Sequence, residues 1–184
     1  MRHFYFTLLL LLCSGFLYSQ PKVSDDYIAW SATRKLTAND FIIKTKDLQS
    51  NTSFAQFYMD YQVGGFSFMA NNFNKKVGNY FIKSGSWMDT TYNVSKSIRC
   101  QQTLFDIAEI YARQFRKELK ANKRKILGGT NFIKEINDKI VSDMAKRRID
   151  YDTETKFGSD AAKQAEWENE IWIELKGLKE FGRE

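Results

Sequence analysis

Hydrophobic positions along this chain follow two regimes, an extended one in the first half and a helical one in the second. Tyr27-Ile28-Ala29-Trp30 and Phe41-Ile42-Ile43 are short apolar runs separated by the polar Thr37-Ala38-Asn39-Asp40. That pattern predicts two short strands around a turn or a single helical turn. From Phe54 to Phe73 apolar and polar residues alternate imperfectly about Gly64-Gly65, which predicts a hairpin. Val77 to Trp87 predicts a further strand, centred on Tyr80-Phe81-Ile82 and ending at Ser84-Gly85-Ser86.

From about Ser95 to Ala121 the spacing becomes helical, with Leu104, Ile107, Ala108, Tyr111, Phe115 and Leu119 on one stripe. Gly128-Gly129 breaks the chain, and Thr130 or Asn131 can cap a second helix carrying Ile133, Ile136, Ile140 and Met144. Ser159 or Asp160 can cap a third, whose stripe is Trp167, Ile171, Leu175 and Leu178. The expected fold class is α+β, with a small, mostly antiparallel sheet in the N-terminal half followed by three packed helices. No repeat, low-complexity tract or linker divides the chain.

Residues 1–19 stand apart from this pattern. Met1-Arg2-His3 is followed by an apolar run from Phe4 to Leu12 and a short polar end at Leu17-Tyr18-Ser19, the pattern of a secretory signal peptide. The apolar run is about half the ~20 residues a membrane-spanning helix needs. Leu12 precedes Cys13 where a lipoprotein signal has a small residue, which argues against lipidation. Cleavage after Ser19 leaves a single domain over residues 20–184, and a periplasmic or extracellular location is expected. No later segment reads as a transmembrane span.

Composition sharpens this picture in three ways. His3 is the one histidine of the chain, so cleavage leaves none. Cys100 is then the sole cysteine, which excludes an intramolecular disulfide. Basic residues concentrate at Arg113, Arg116, Lys117, Lys120, Lys123, Arg124 and Lys125. That run reads as a solvated helix end complementing the helix dipole, with an anionic surface as the other reading. No nucleic-acid-binding motif accompanies it, so no nucleic-acid partner is expected.

The stretch from Ser97 to Arg113, and above all Phe105-Asp106-Ile107-Ala108-Glu109-Ile110-Tyr111-Ala112-Arg113, resembles the bacterial domain-of-unknown-function 922 family of secreted zinc-dependent proteases. Leu36-Thr37, with Asp40-Phe41, is similar to that family's N-terminal element, with Ala38 where Trp is expected. Ser86-Trp87 resembles its Ser-Trp before the catalytic helix. Tyr151-Asp152, Glu154-Thr155, Gly158, Gln164 and Trp167 resemble its C-terminal segment. The resemblance implies a zincin-like fold and a His-Glu-x-x-His helix, in which two histidines one turn apart hold zinc and the glutamate takes a proton from zinc-bound water.

Carried across by position, the first histidine is Cys100, the glutamate is Gln101 and the second histidine is Leu104. The resemblance also implies a third ligand, at Phe157. Leucine and phenylalanine offer a metal no lone pair, and an amide is no base near neutral pH. The family's zinc is therefore not expected here, and neither is its catalysis. Asp106 and Glu109 form the remaining polar pair, read either as a residual acid–base site or as a solvated helix face. The expectation is a non-catalytic scaffold that binds an extended peptide or an envelope protein. The alternative is a peptidase-like hydrolase with an altered site.

Overall fold

A computed structural model describes residues 25–46, 52–63, 73–126 and 131–183. The signal-like segment and Gly64-Gly65 lie outside them, as do Gly128-Gly129 and Thr130. Four strands form one sheet: β1 (Tyr27–Ala29), β2 (Ile43–Thr45), β3 (Ser53–Tyr61) and β4 (Val77–Asp89). The long β4 is its spine. β1 pairs with it antiparallel at Tyr80–Ile82, and β2 pairs parallel at Trp87–Asp89. β3 runs antiparallel along the opposite edge of β4. Thr37–Asp40, expected as a turn or helical turn, is a 3-10 helix over Ala38–Asp40 closed by the Asp40 carboxylate on the Thr37 amide, at 2.7 Å.

The strand expected to end at Ser84-Gly85-Ser86 instead continues through it by means of a bulge. Between the pairs Phe54↔Trp87 and Gln56↔Ile82, β3 advances two residues while β4 advances five. The buried Ser86 hydroxyl fills the broken ladder, donating to the Ile82 carbonyl at 2.5 Å and accepting from the Gln56 amide at 3.0 Å. The odd surplus also reverses which side chains face inward. Phe81 and Met88 are seven positions apart, yet both reach the same core cluster. In an unbroken strand they would lie on opposite faces.

Four helices follow: α1 (Val94–Ala121), the four-residue α2 (Lys123–Ile126), α3 (Asn131–Glu154) and α4 (Ala161–Gly177). Asp160, one of the two expected caps, accepts from the Lys163 amide at the start of α4. α1 lies between the sheet and the α3–α4 pair, so two opposite faces of it are covered and a narrow flank at Asp106 stays open. Toward the sheet, Phe105 stacks on Phe57 with ring centroids 5.1 Å apart and planes 8° from parallel. Toward the helices, Leu104, Ile107, Tyr111 and Phe115 share a cluster with Ile133, Ile136, Ile140, Trp167 and Ile171. Each of those larger apolar side chains contributes on the order of 1.5–3 kcal/mol by leaving water. From Thr103 to Arg113 every residue is buried except Asp106.

Two cations expected on a solvated helix end are buried instead. Arg113 and Arg116 both grip Glu109, at 3.0 and 2.8 Å, and Arg116 and Glu109 are each only 1% exposed. Arg116 also donates twice to the Val77 carbonyl and once to that of Phe181, while Arg113 donates to the Leu175 carbonyl. The pairing explains the burial: one carboxylate and four carbonyl contacts replace the water these guanidiniums lose. The rest of the run, from Lys117 onward, is exposed or half-buried as expected.

Removing one member of this network leaves the others buried and underpaired. Arg116→Met is therefore expected to cost about 3–5 kcal/mol in a denaturant melt. Lys120→Met, which breaks the exposed Lys120–Glu180 pair one turn further on, is expected to leave the midpoint nearly unchanged.

Candidate functional site

Of the four positions that the resemblance singles out, three are buried in α1 and the fourth, Phe157, is exposed, so they do not form a site. Cys100, Gln101 and Leu104 are 5%, 4% and 3% exposed. Cys100 and Leu104 belong to the core shared with Tyr151 and Trp167. Gln101 turns its amide nitrogen to Ser53 on β3, 3.1 Å from the hydroxyl and 3.3 Å from the carbonyl, and its Oε1 has no partner among the described residues. Phe157 is 59% exposed and lies in none of these contacts.

The residue after Phe157 meets α1 instead. Lys156, Phe157 and Gly158 all take left-handed backbone angles, with φ of 50°, 55° and 73°. For the two non-glycine residues that conformation costs roughly 1–2 kcal/mol each. Hydrogen bonds hold the turn: the Phe157 amide to the Asp152 carbonyl at 2.8 Å, and the Gly158 amide to the Thr155 hydroxyl at 3.0 Å. A Cβ at position 158 would stand 3.1 Å from Cys100 Cβ and 3.4 Å from its Sγ, so glycine allows the turn to press on the helix.

The other C-terminal residues of the resemblance form a buried polar chain. The Tyr151 hydroxyl donates to Gln164 Oε1 at 2.6 Å, and Gln164 Nε2 donates to the Thr103 hydroxyl and to Glu168, both at 2.9 Å. Trp167 Nε1 donates to Glu154 at 2.9 Å. This chain ties the ends of α3 and α4 to α1. Its hydroxyl is fixed as a donor, because burial pushes the Tyr151 phenol well above its ordinary value.

These residues do not fit zinc. Leu104 and Phe157 bring no donor atom, and Gln101 is committed to Ser53. Burial pushes the Cys100 thiol up, against opposing help from Tyr151, so the thiolate a metal needs is disfavoured. Among the described residues, no group of three or more His, Cys, Asp or Glu side chains is placed to hold a metal ion.

Asp106 and Glu109, expected as one polar pair, have different environments. Glu109 is sealed in the arginine network. Asp106 reaches a cleft of about 490 Å³ between the Trp30–Lys35 segment, the open flank of α1, and α4 with the turn after it. It accepts from Trp30 Nε1 at 2.6 Å and Gln102 Nε2 at 2.8 Å, with the Lys35 ammonium at 3.8 Å. Burial nevertheless holds its carboxyl above the usual range, against the charge of Lys35 and those two donors. Across the cleft Glu168 takes both nitrogens of an Arg99 fork, at 2.6 and 2.7 Å. The sequence reading missed the α4 side of this cleft, although Trp172 and Lys176 are spaced to share a helix face.

No protein-family model, curated protein or solved structure matches this chain. No helix of the described residues is long and apolar enough to cross a membrane.

Two measurements test this geometry. Cys100 is expected to resist a thiol reagent in the native protein and to react only under denaturant. Prompt labelling without denaturant would contradict its burial. The second concerns Asp106, whose raised value in the fold means that its protonated form is the one folding favours. Its contribution is fully present below the ordinary 3.8 and is lost as pH rises through the raised value. The stability advantage of the native protein over Asp106→Asn should therefore grow between about pH 7 and about pH 4, read as the difference between denaturant midpoints.

Proposed function

We propose that this chain is an exported, non-catalytic binding protein on a zincin-like scaffold, in which the helix positions of a zinc-protease site have become buried. The observation that carries this reading is the burial of Cys100, Gln101 and Leu104 within α1, none of them lining the Asp106 cleft. Two further features support an ancestry in the domain-of-unknown-function 922 family. Gln101 keeps a buried oxygen without a partner among the described residues, which costs about 1–3 kcal/mol. The left-handed turn brings Gly158, beside the position at which the resemblance implies a third ligand, against Cys100, where it implies the first. Export rests on the signal-like pattern of residues 1–19. An extended peptide or an envelope protein is the partner this reading expects, with an exposed strand edge as the binding mode.

An altered hydrolase has one observation in its favour. Asp106 and Glu168 line the same cleft with their carboxyls pushed in opposite directions. Burial raises Asp106. For Glu168 burial also acts upward, but hydrogen bonds from Arg99 and Gln164 and the Arg99 charge outweigh it and hold the group low. Separated carboxyls of this kind are how an acid and a base are made from like residues.

One assay separates the two readings. The purified protein is expected to carry no stoichiometric zinc and to leave peptide substrates intact with or without chelator. Zinc with chelator-sensitive cleavage would overturn the non-catalytic reading. Chelator-insensitive cleavage abolished by Asp106→Asn would establish the altered hydrolase. The combined variant Cys100→His, Gln101→Glu, Leu104→His and Phe157→His is expected to gain zinc binding. A folded variant that binds none would count against the ancestry.

A further inference from the structure

The Asp106 cleft has a chemistry of its own, which needs neither a zincin ancestry nor a particular outcome of the peptidase assay. Its apolar lining is Trp30, Ile171, Trp172 and Leu175. The charged groups on its inner walls already have partners: Asp106 with Trp30 and Gln102, Glu168 with Arg99 and Gln164, and Arg113 with Glu109 and the Leu175 carbonyl. Arg113 further sits 5.1 Å from the Trp30 ring centroid, a cation–π contact that holds that indole in place.

Lys176 and Lys179 differ from all of these. Both are exposed at the cleft, and neither ammonium makes a hydrogen bond or ion pair among the described residues. The Lys176 ammonium lies 4.0 Å from the Trp172 ring centroid, so a cation and an aromatic face are presented together. The unused hydrogen-bonding capacity of the cleft is therefore cationic, next to unused apolar surface. A volume of about 490 Å³ falls in the range of small-molecule sites, roughly 300–1,000 Å³. A bare inorganic anion would leave both indoles uncovered, and a neutral ligand would leave both ammoniums unused. Asp106 and Glu168 inside the same cleft disfavour a ligand carrying more than one negative charge.

We infer that this cleft binds a monoanionic carboxylate carried on an aromatic or aliphatic body, with the carboxylate at Lys176 and Lys179 and the body between Trp30 and Trp172. Two sources share that chemistry: a free small acid, and the C-terminal carboxylate of a peptide ending in an apolar residue.

The test titrates the purified protein with N-acetylphenylalanine and with its amide, and with an acetylated Ala-Ala-Phe tripeptide as acid and as amide. Binding is read by calorimetry and by quenching of tryptophan fluorescence. The expected result is at least about tenfold tighter binding of each acid than of its amide, the difference shrinking as salt is added. The Lys176→Ala/Lys179→Ala variant, in exposed positions that the fold does not use, should bring the acid down to the affinity of the amide. Trp172→Ala should weaken acid and amide alike. A tripeptide acid that binds more tightly than N-acetylphenylalanine supports a chain terminus as the natural ligand, and equal affinity supports a free acid. Equal binding of acid and amide, full acid affinity in the double lysine variant, or no binding of any probe up to about 10 mM would overturn the proposal.

Discussion

The buried carboxylate of Glu109 sets the terms for the rest of the molecule. An unpaired charge in this interior would be prohibitively costly, and two arginines on the same helix answer it. They in turn have hydrogen bonds left to make, and they make them to backbone: Val77 at the head of β4, Leu175 near the end of α4 and Phe181 beyond it. One charge thus fixes the sheet and the C-terminal segment to opposite ends of the same contact. Apolar packing supplies most of the driving force for folding, but it is non-directional and tolerant of sliding. The carbonyl contacts supply register between elements far apart in sequence.

The position of α1 between two layers explains why the helix positions picked out by the resemblance are buried. The face toward α3 and α4 takes up Cys100 and Leu104, and the face toward β3 takes up Gln101. What remains open is the narrow flank that carries Asp106. The groups that reach an open cleft accordingly lie further along the helix than the positions of the resemblance, on the side facing α4. The Tyr151–Gln164–Thr103 chain stands between the two regions and braces both.

Much of this fold could be read from the sequence, for identifiable reasons. The stripes from Leu104 to Leu119, from Ile133 to Met144 and from Trp167 to Leu178 pack inward because sustained helical spacing leaves few alternatives. The continuation of β4 was hidden because Ser84-Gly85-Ser86 has the composition of a strand end. Only a partner strand with a matching gap, at Gln56, turns it into a bulge. Arg113 and Arg116 looked solvated because charge is ordinarily outside, and their burial depends on carbonyls some forty to sixty-five residues away. Asp106 and Glu109 looked like neighbours on one face. Three residues on a helix covered from both sides are enough to put one in a cleft and seal the other. Trp172 and Lys176 lay off the apolar stripe of their helix, where spacing alone distinguishes a ligand surface poorly from a solvated one.

The bulge in β4 has a consequence for how this sequence can change. The stretch from Lys83 to Ser86 works like a reading frame counted in twos: the side to which Met88 points depends on whether the number of residues before it is odd or even. Losing or gaining one residue there would turn Met88 out of the core and carry Trp87 into it, while losing or gaining two would leave every side chain downstream on its own face. Lineages of this protein should therefore drift in length at this point only by even steps, and substitution should be far freer there than any single insertion.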